Sequence, residues 1–242
     1  MNQFVLLQGH SPELRLFPHI LELGIKKNVS IQLNSFRIST TEGIRVFFVM
    51  DGKFVWRIHQ SVYTFYPGDA ALILPGQAFG NEDGALEIGT FTWIHIDMEK
   101  GENGTVRPGP WSNLSEAESI AICKILFLNN SPALFKFSES GKIIKSIQTE
   151  VFAQEIGYQA RINHQVDELL IQATRQLTRQ GNTGRDFPKT FMHLEQVLRQ
   201  NLAHQWTVEE MAALVGLGTT LFTEKVKSYS GFSPINYLIN IR

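Results

Sequence analysis

The chain has 242 residues, a formal net charge of −1 and 43% hydrophobic residues. This length allows two modest domains with separate cores, and the composition is that of an ordinary globular protein. The near-zero charge excludes a strong overall electrostatic attraction to nucleic acid.

The residue composition also bears on the cellular compartment of the protein and on whether it spans a membrane. The single cysteine, Cys123, excludes an internal disulfide and fits a reducing compartment. No apolar run approaches the roughly 18 residues that a membrane-spanning helix requires, and the first ten residues lack the pattern of a secretory signal. We therefore expect a cytoplasmic protein without a membrane partner.

The first half of the chain has the pattern of β-strands. Short runs rich in Val, Ile, Phe and Trp are separated by turn residues such as Pro75-Gly76. The Asp51-Gly52 pair between two such runs predicts a hairpin. Many short strands at regular spacing favour a sandwich or barrel. The predicted strands are residues 30–38, 44–50, 53–58, 61–65, 70–74 and 86–96.

A small barrel can enclose one ligand, so its interior is a candidate ligand pocket. Both faces of residues 46–49 are apolar, and alternation therefore does not select the inward face. Each candidate wall residue has an alternative role as simple core packing. The candidates are Phe36, Phe48, Trp56, Trp93 and His95.

Histidines are too sparse in the strand region for a metal site. A histidine-based site needs ligands at matched positions on adjacent strands, and neither His59 nor His95 has an H-x-H partner. Cys123 lies among isoleucines, which is typical of a buried packing residue. We predict no metal, no cofactor and no catalytic residue, and hence no enzyme.

Beyond Pro108 the apolar pattern changes to a helical period. Helices are predicted over residues 116–128, 141–156 and 158–177. In the third, apolar residues at spacings of 4, 4, 3, 1, 3 and 4 form one stripe. This stripe either packs on the chain's own β-domain or forms a dimer contact. Its members are Tyr158, Ile162, Val166, Leu169, Leu170, Ala173 and Leu177.

The last 37 residues predict two short helices around a tight turn, followed by a third helix. Thr207 and Glu210 form a capping box for the first helix, and Gly216 suits the turn. The second helix, residues 219–228, offers Leu221, Phe222 and Val226 to a core, and Ser233-Pro234 begins the third. A helix–turn–helix presents its second helix to the DNA major groove, although an ordinary helical hairpin has the same pattern.

This segment resembles the first helix–turn–helix of the AraC/XylS family of bacterial transcription regulators. Glu224 stands where the family usually has Arg, and Val226 where it has Phe. The matching residues are Ala212, Gly216, Leu221, Lys227, Gly231 and the run Ser233-Pro234-x-x-Tyr237-Leu238-x-x-x-Arg242. Upstream, residues 51–79 and 93–96 resemble the cupin-like effector domain of the same family, with Phe79 where a histidine often ends the motif.

The resemblance implies an α+β protein, with an N-terminal cupin-like β-barrel and packed helices followed by an all-α helix–turn–helix domain. We expect an effector and dimerisation domain over residues 1–180, with a helical part at 114–180. A linker at 181–187 and a DNA-binding domain at 188–242 follow. Family members carry two helix–turn–helix units, and the chain ends inside the helix that joins them. We therefore expect only the first unit, in a truncated form.

The function that the resemblance implies is sequence-specific DNA-binding transcription regulation, controlled by a small-molecule effector in the barrel. The expected partners are double-stranded DNA, an unidentified effector, a second copy of the chain through residues 139–180, and RNA polymerase. Two alternatives stay open. One is a metal-dependent cupin-type enzyme with an accessory helical domain, and the other is a shortened regulator that dimerises with a full-length partner and blocks it.

The candidate DNA contacts lie on the second helix of the motif. Glu224 offers an acceptor to a cytosine amino group. Residues 186–242 contain five basic and five acidic side chains, which predicts weak non-specific binding by this half alone. The candidate base readers are Thr219, Thr220, Thr223 and Glu224, and the candidate phosphate contacts are Lys225, Lys227 and Ser228. The charged residues counted are Lys189, Arg199, Lys225, Lys227 and Arg242 against Asp186, Glu195, Glu209, Glu210 and Glu224.

Overall fold

A computed structural model describes residues 3–101, 106–128, 133–182, 187–202, 204–215 and 217–241. The chain divides into two compact units, Met1–Thr178 and Arg179–Arg242. Sheets in the first unit and helices in both make this an α+β protein. Among the described residues, no helix combines the length and apolar character needed to span a membrane.

The first unit is built on two antiparallel sheets. Its six-stranded sheet has the order β1-β2-β9-β4-β7-β12, and its four-stranded sheet has the order β3-β8-β5-β6. The strands β10 and β11 form a separate pair. The strand bounds are β1 (Phe4–Leu7), β2 (Ile20–Asn28), β3 (Ser39–Thr40), β4 (Ile44–Gly52), β5 (Phe54–Ile58), β6 (Ser61–Phe65), β7 (Ala70–Ile73), β8 (Ala78–Gly80), β9 (Gly89–Ile96), β10 (Glu99–Lys100), β11 (Val106–Arg107) and β12 (Ala133–Leu134).

The hairpin predicted at Asp51-Gly52 is wrong. β4 pairs with β7 and β9, whereas β5 pairs with β6 and β8, so the chain passes from one sheet to the other at this point. Gly52 has φ +90°, and a Cβ there would collide with the carbonyl oxygen of Ile88. The tight turn lies one strand later, between Ile58 and Ser61, where His59 adopts φ 55°.

The strand predicted over residues 30–38 is also wrong. Apart from an isolated bridge between Gln32 and Leu86, this segment forms turns and bends. Its aliphatic side chains Ile31 and Leu33 are exposed, so the apolar pattern there does not report burial. Conversely, β1 and β2 lie upstream of the predicted strand region. The lysine pair near the end of β2 weakens its apolar pattern, although the strand is paired on both sides, with β1 and β9.

Three helices cover one face of the six-stranded sheet: α1 (Glu116–Leu128), α2 (Ser138–Ala153) and α3 (Tyr158–Asn182). The apolar stripe of α3 is buried in this core, with Ile162, Val166 and Leu170 fully inaccessible to solvent. The stripe therefore packs on the chain's own β-domain and is not available to a second copy. The homodimer predicted through residues 139–180 loses that basis and stays a prediction.

The second unit is helical. Its helices are α4 (Phe187–Gln200), α5 (Val208–Leu214), α6 (Thr219–Ser230) and α7 (Pro234–Ile241). The capping box of Thr207 and Glu210 is confirmed: Thr207 Oγ1 accepts from the backbone N–H of Glu210, and the Glu210 carboxylate accepts from that of Thr207. Pro234 begins α7 as predicted. Gly216 lies outside the described residues.

Two expectations for the second unit need correction. Leu221 is 41% exposed and does not join the core, because it lies on the side of α6 away from Phe222 and Val226. The predicted linker 181–187 is shorter than expected, since Gly181 and Asn182 end α3 and Phe187 begins α4. Glycine and asparagine are common at helix ends, which explains their place there. Residues 183–186 of that linker lie outside the described residues.

Candidate functional site

The space between the two sheets is filled by aromatic rings around Phe47. The ring centroid of Phe47 lies 5.2 Å from that of Trp56 and 6.3 Å from those of Phe36 and Trp93. Such distances are typical of favourable aromatic pairs. Three of the five predicted wall residues, Phe36, Trp56 and Trp93, are thus brought together. Phe47, which contacts all three, was not predicted.

Phe48 lies on the opposite face of β4, so its predicted place in this wall is corrected. Its ring packs against Gly141 of α2 in the helix-covered core, and a Cβ at position 141 would overlap it. Neighbouring residues of a strand point to opposite faces. With Phe47 directed between the sheets, Phe48 is directed towards the helices.

Two hydrogen-bond donors in the inter-sheet space lack acceptors. Trp56 and Trp93 are 1% and 5% exposed, and the indole Nε1 of each has no partner among the described residues. A buried donor left unsatisfied costs about 1–3 kcal/mol. A ligand that accepts a hydrogen bond between the sheets would recover part of this energy.

His95 lies near the end of β9, two residues after Trp93, and therefore on the same face of the strand. Its Nε2 is 2.9 Å from Oγ1 of Thr41, whose hydroxyl donates to the carbonyl oxygen of Gly43 at 3.3 Å. Burial, and then the positive charge of Arg45, lower the pKa of His95 to about 4. The imidazole is therefore neutral near pH 7, and its hydrogen-bond partner is a hydroxyl group.

Arg45 of β4 is a cross-strand partner of His95. Its guanidinium lies 2.7 Å from a carboxylate oxygen of Glu22 and 5.6 Å from the centroid of the Phe79 ring. Its Nε is buried without a partner in the described part of the chain. Arg45 and Thr41 were missed from the sequence because neither belongs to a motif, and only the strand pairing brings them beside His95.

Metal ligands do not converge in the described residues. They contain no group of three or more His, Cys, Asp or Glu side chains that could hold an ion. His59 is exposed in the turn between β5 and β6. Among the described side chains, the inter-sheet space therefore offers aromatic faces, indole donors and, at one end, the Arg45–Glu22 ion pair.

The second candidate site is the outer face of α6. Phe222 and Val226 hold the helix on the core of the second unit, each 1% exposed. The opposite face is open to solvent, and Thr219, Thr220 and Glu224 are exposed there, as is Lys227. Four of the seven predicted DNA contacts therefore share one accessible surface, which we call the α6 outer face.

The other three predicted DNA contacts are placed less favourably. The hydroxyl of Thr223 donates to the carbonyl oxygen of Thr219 at 2.8 Å, and its side chain is half-buried. Lys225 is also half-buried. The side chain of Ser228 lies outside the described residues. A hydroxyl already bonded to its own helix is a poorer base reader, since that bond must be exchanged.

No protein-family model and no curated protein sequence matches this chain. Solved structures that resemble part of it include the plu4264 protein from Photorhabdus luminescens, at 21% identity and a TM-score of 0.24 over 31% of this chain and 60% of that one. The EutQ protein of Clostridium difficile is 14% identical, with a TM-score of 0.28 over 39% of this chain and 65% of that one. A cupin protein from Bacteroides fragilis is 13% identical, with a TM-score of 0.25 over 31% of this chain and 64% of that one. The aligned regions thus span less than two thirds of each neighbour, and the fold described above follows from the strand pairing alone.

Proposed function

We propose that this protein is a DNA-binding transcription regulator controlled by a small-molecule effector. The second unit would insert α6 into the major groove, and the cupin-like first unit would bind the effector between its sheets. The observation that carries the proposal is the α6 outer face, where four polar side chains are exposed while Phe222 and Val226 on the inner face of the same helix are buried.

The roles on α6 follow from position along the helix. In a helix–turn–helix, the N-terminal residues of the second helix contact base edges, which favours Thr219 and Thr220 as readers. Glu224 lies just over one turn further along the same exposed face and would accept from a cytosine amino group. Lys227, in the last turn, would contact phosphate and position the helix.

The balance of charge in this unit sets the expected affinity. Residues 186–242 carry five basic and five acidic side chains, and phosphate neutralisation supplies most non-specific affinity. One copy would therefore bind weakly, and we propose that two copies bind together. A homodimer and a contact with RNA polymerase are parts of this proposal that rest on the family resemblance.

The effector would bind between the sheets as a ligand with an aromatic or flat apolar body and hydrogen-bond acceptors. Because the rings around Phe47 fill this space, they would have to move apart to admit it. The aromatic cluster around Phe47 would contact its faces, and the free indole N–H groups of Trp56 and Trp93 would donate to its acceptors. Buried polar groups that only the correct ligand satisfies are a source of specificity.

Fluorescence anisotropy on DNA from upstream of the protein's own gene tests the DNA-binding role. We expect the double variant Lys225→Ala/Lys227→Ala to weaken binding at least tenfold, and to reduce the slope of log affinity against log salt by about 2 in magnitude. The matched control is Lys53→Ala/Lys100→Ala, two exposed lysines of the first unit. Equal binding by the parent and the α6 variant would show that these contacts are wrong.

A further inference from the structure

An open cleft of about 990 Å³ lies in the first unit, and none of its lining residues belongs to either site described above. Its two sides are α1 and the segment that runs from β11 into the following proline-rich loop. No described residue in its lining belongs to the aromatic cluster between the sheets. The apolar part of the lining consists of Val106, Pro108, Pro110, Leu114, Ile120 and Phe127.

Both sides of the cleft are held in place by contacts outside it. On the loop side, the carboxylate of Asp167 accepts from the hydroxyl of Ser112 at 2.6 Å and from the backbone N–H of Asn113 at 2.9 Å. Asp167 is only 5% exposed, so this anchor is itself buried. On the helix side, Cys123 and Leu126 fix α1 in the main core. The cleft is therefore preformed, and a ligand need not open it.

The charges around the cleft cancel. Glu99 and Arg107 form an ion pair at 3.4 Å on the loop side, and Glu116 and Lys124 contribute one charge of each sign from α1. Burial raises the pKa of the Cys123 thiol to about 11, so the inner end of the cleft is neutral near pH 7. This arrangement selects neither an anion nor a cation.

Part of the apolar lining of the cleft faces water. Ile120 is 57% exposed although it stands beside other apolar lining residues. Apolar surface removed from water contributes about 25 cal/mol per Å², so a ligand that covers Ile120 and its neighbours gains affinity from area alone. The volume lies near the upper end of the roughly 300–1,000 Å³ range of small-molecule sites.

We propose that this cleft is a second ligand site, which binds one neutral and mainly apolar small molecule. The site is independent of the proposed DNA-binding function, and it is separate from the proposed effector site between the sheets. Its concave shape, with Cys123 among its lining residues, suits a compact molecule better than the flat surface of a protein partner.

Nile red, a neutral apolar dye, is a suitable probe for the full-length protein. We expect saturable binding with one dye per chain. Ile120→Glu should raise the Kd at least tenfold, because it places a charge on the apolar wall. Ile120→Trp, which fills space without adding charge, should also raise the Kd at least fivefold. The matched control is Ile88→Glu, since Ile88 is similarly exposed but lies outside the cleft. We expect its Kd to stay within twofold of the parent.

A second measurement is thermal unfolding of the full-length protein. A ligand that binds the folded chain raises its unfolding midpoint, so saturating Nile red should raise the midpoint of the parent clearly more than that of Ile120→Glu. The proposal is overturned by an absence of saturable binding, by equal dye affinity in the parent and both Ile120 variants, or by a midpoint that the dye raises equally in the parent and Ile120→Glu. DNA binding enters neither readout, so failure of the regulator proposal and failure of this one are distinguishable.

Discussion

The two faces of the six-stranded sheet are both buried, but they differ in the residues that bury them. The face under the helices is mainly aliphatic, and in β9 it is formed by Ile94 and Ile96. The face towards the second sheet is mainly aromatic, and in β9 it is formed by Phe91 and Trp93. The same strands thus contribute to two cores of different chemistry, with alternate residues assigned to each.

The polar groups on the two faces also differ in whether they have hydrogen-bond partners. On the helix side, the side-chain N–H₂ of Gln148 donates to the hydroxyl of Thr92 at 2.7 Å, and that hydroxyl donates to the carbonyl oxygen of Gly24, also at 2.7 Å. On the other side, the indole N–H groups of Trp56 and Trp93 have no acceptor among the described residues. A connected network stabilises a unique packing, whereas unsatisfied donors suit a site that a ligand completes. We therefore assign a structural role to the helix side of the sheet and the proposed ligand binding to the inter-sheet side.

The largest expected effect tests the structural role of the helix side. Leu170→Ala removes a fully buried side chain of α3 from the main core, and we expect a loss of about 2–5 kcal/mol in the free energy of unfolding. Urea denaturation followed by circular dichroism would measure it. Leu16→Ala, at an exposed leucine of the same unit, should change stability by less than about 0.5 kcal/mol. Similar losses in the two variants would contradict the assignment of α3 to this core.

His19 is an exception on the helix side, and it predicts a pH dependence. Its ring is buried, stacks on Trp111 with centroids 4.4 Å apart, and has no partner at either nitrogen among the described residues. Burial lowers its pKa from 6.5 to about 4. Between these values the unfolded chain binds a proton that the folded chain does not. The free energy of unfolding therefore falls as the pH drops from about 6.5 towards 4.

Replacing His19 isolates this effect. His19→Phe keeps an aromatic ring against Trp111 and removes the titrating group, so the variant should lose less stability between pH 7 and pH 5 than the parent does. The expected difference is on the order of 1–2 kcal/mol, measured by urea denaturation at each pH. His59→Phe, at an exposed turn histidine, should retain the parent's pH dependence. Identical pH dependence in His19→Phe and the parent would refute the role of His19.

The contrast between the two faces was only partly predictable from the sequence. The sequence located α1, α2, α3 and the helices of the last segment. The clearest signals are the apolar stripe of α3 and the capping box of α5, whereas α1 is apolar without a single stripe. Strand pairing was not predictable, since it depends on contacts distant in sequence. The Asp51-Gly52 pair has a strong local hairpin signal, yet β4 finds its partners in β7 and β9.

The candidate sites show the same limit. Trp56 and Trp93 were identified by residue type, but Phe47 and Phe48 are equivalent in the sequence and differ only once the sheet has two covered faces. The exposed face of α6 was predicted because the direction of each side chain around a helix follows from its position in the sequence. The cleft beside α1 was not, since its lining comes from three separate segments of the chain.

The smallest expected effect concerns the inter-sheet side. Trp56→Phe removes buried apolar area, and it also removes an indole N–H that has no acceptor among the described residues. These two changes oppose each other, because the unsatisfied donor costs about 1–3 kcal/mol. We expect a net change in the free energy of unfolding within about 1 kcal/mol. Trp206→Phe is a comparison at a half-buried, satisfied indole, whose Nε1 donates to the carbonyl oxygen of Asn201 at 3.2 Å; there no unsatisfied donor is removed. A loss well above 2 kcal/mol in Trp56→Phe would mean that tight packing outweighs the free donor, and the inter-sheet side would then be as structural as the helix side.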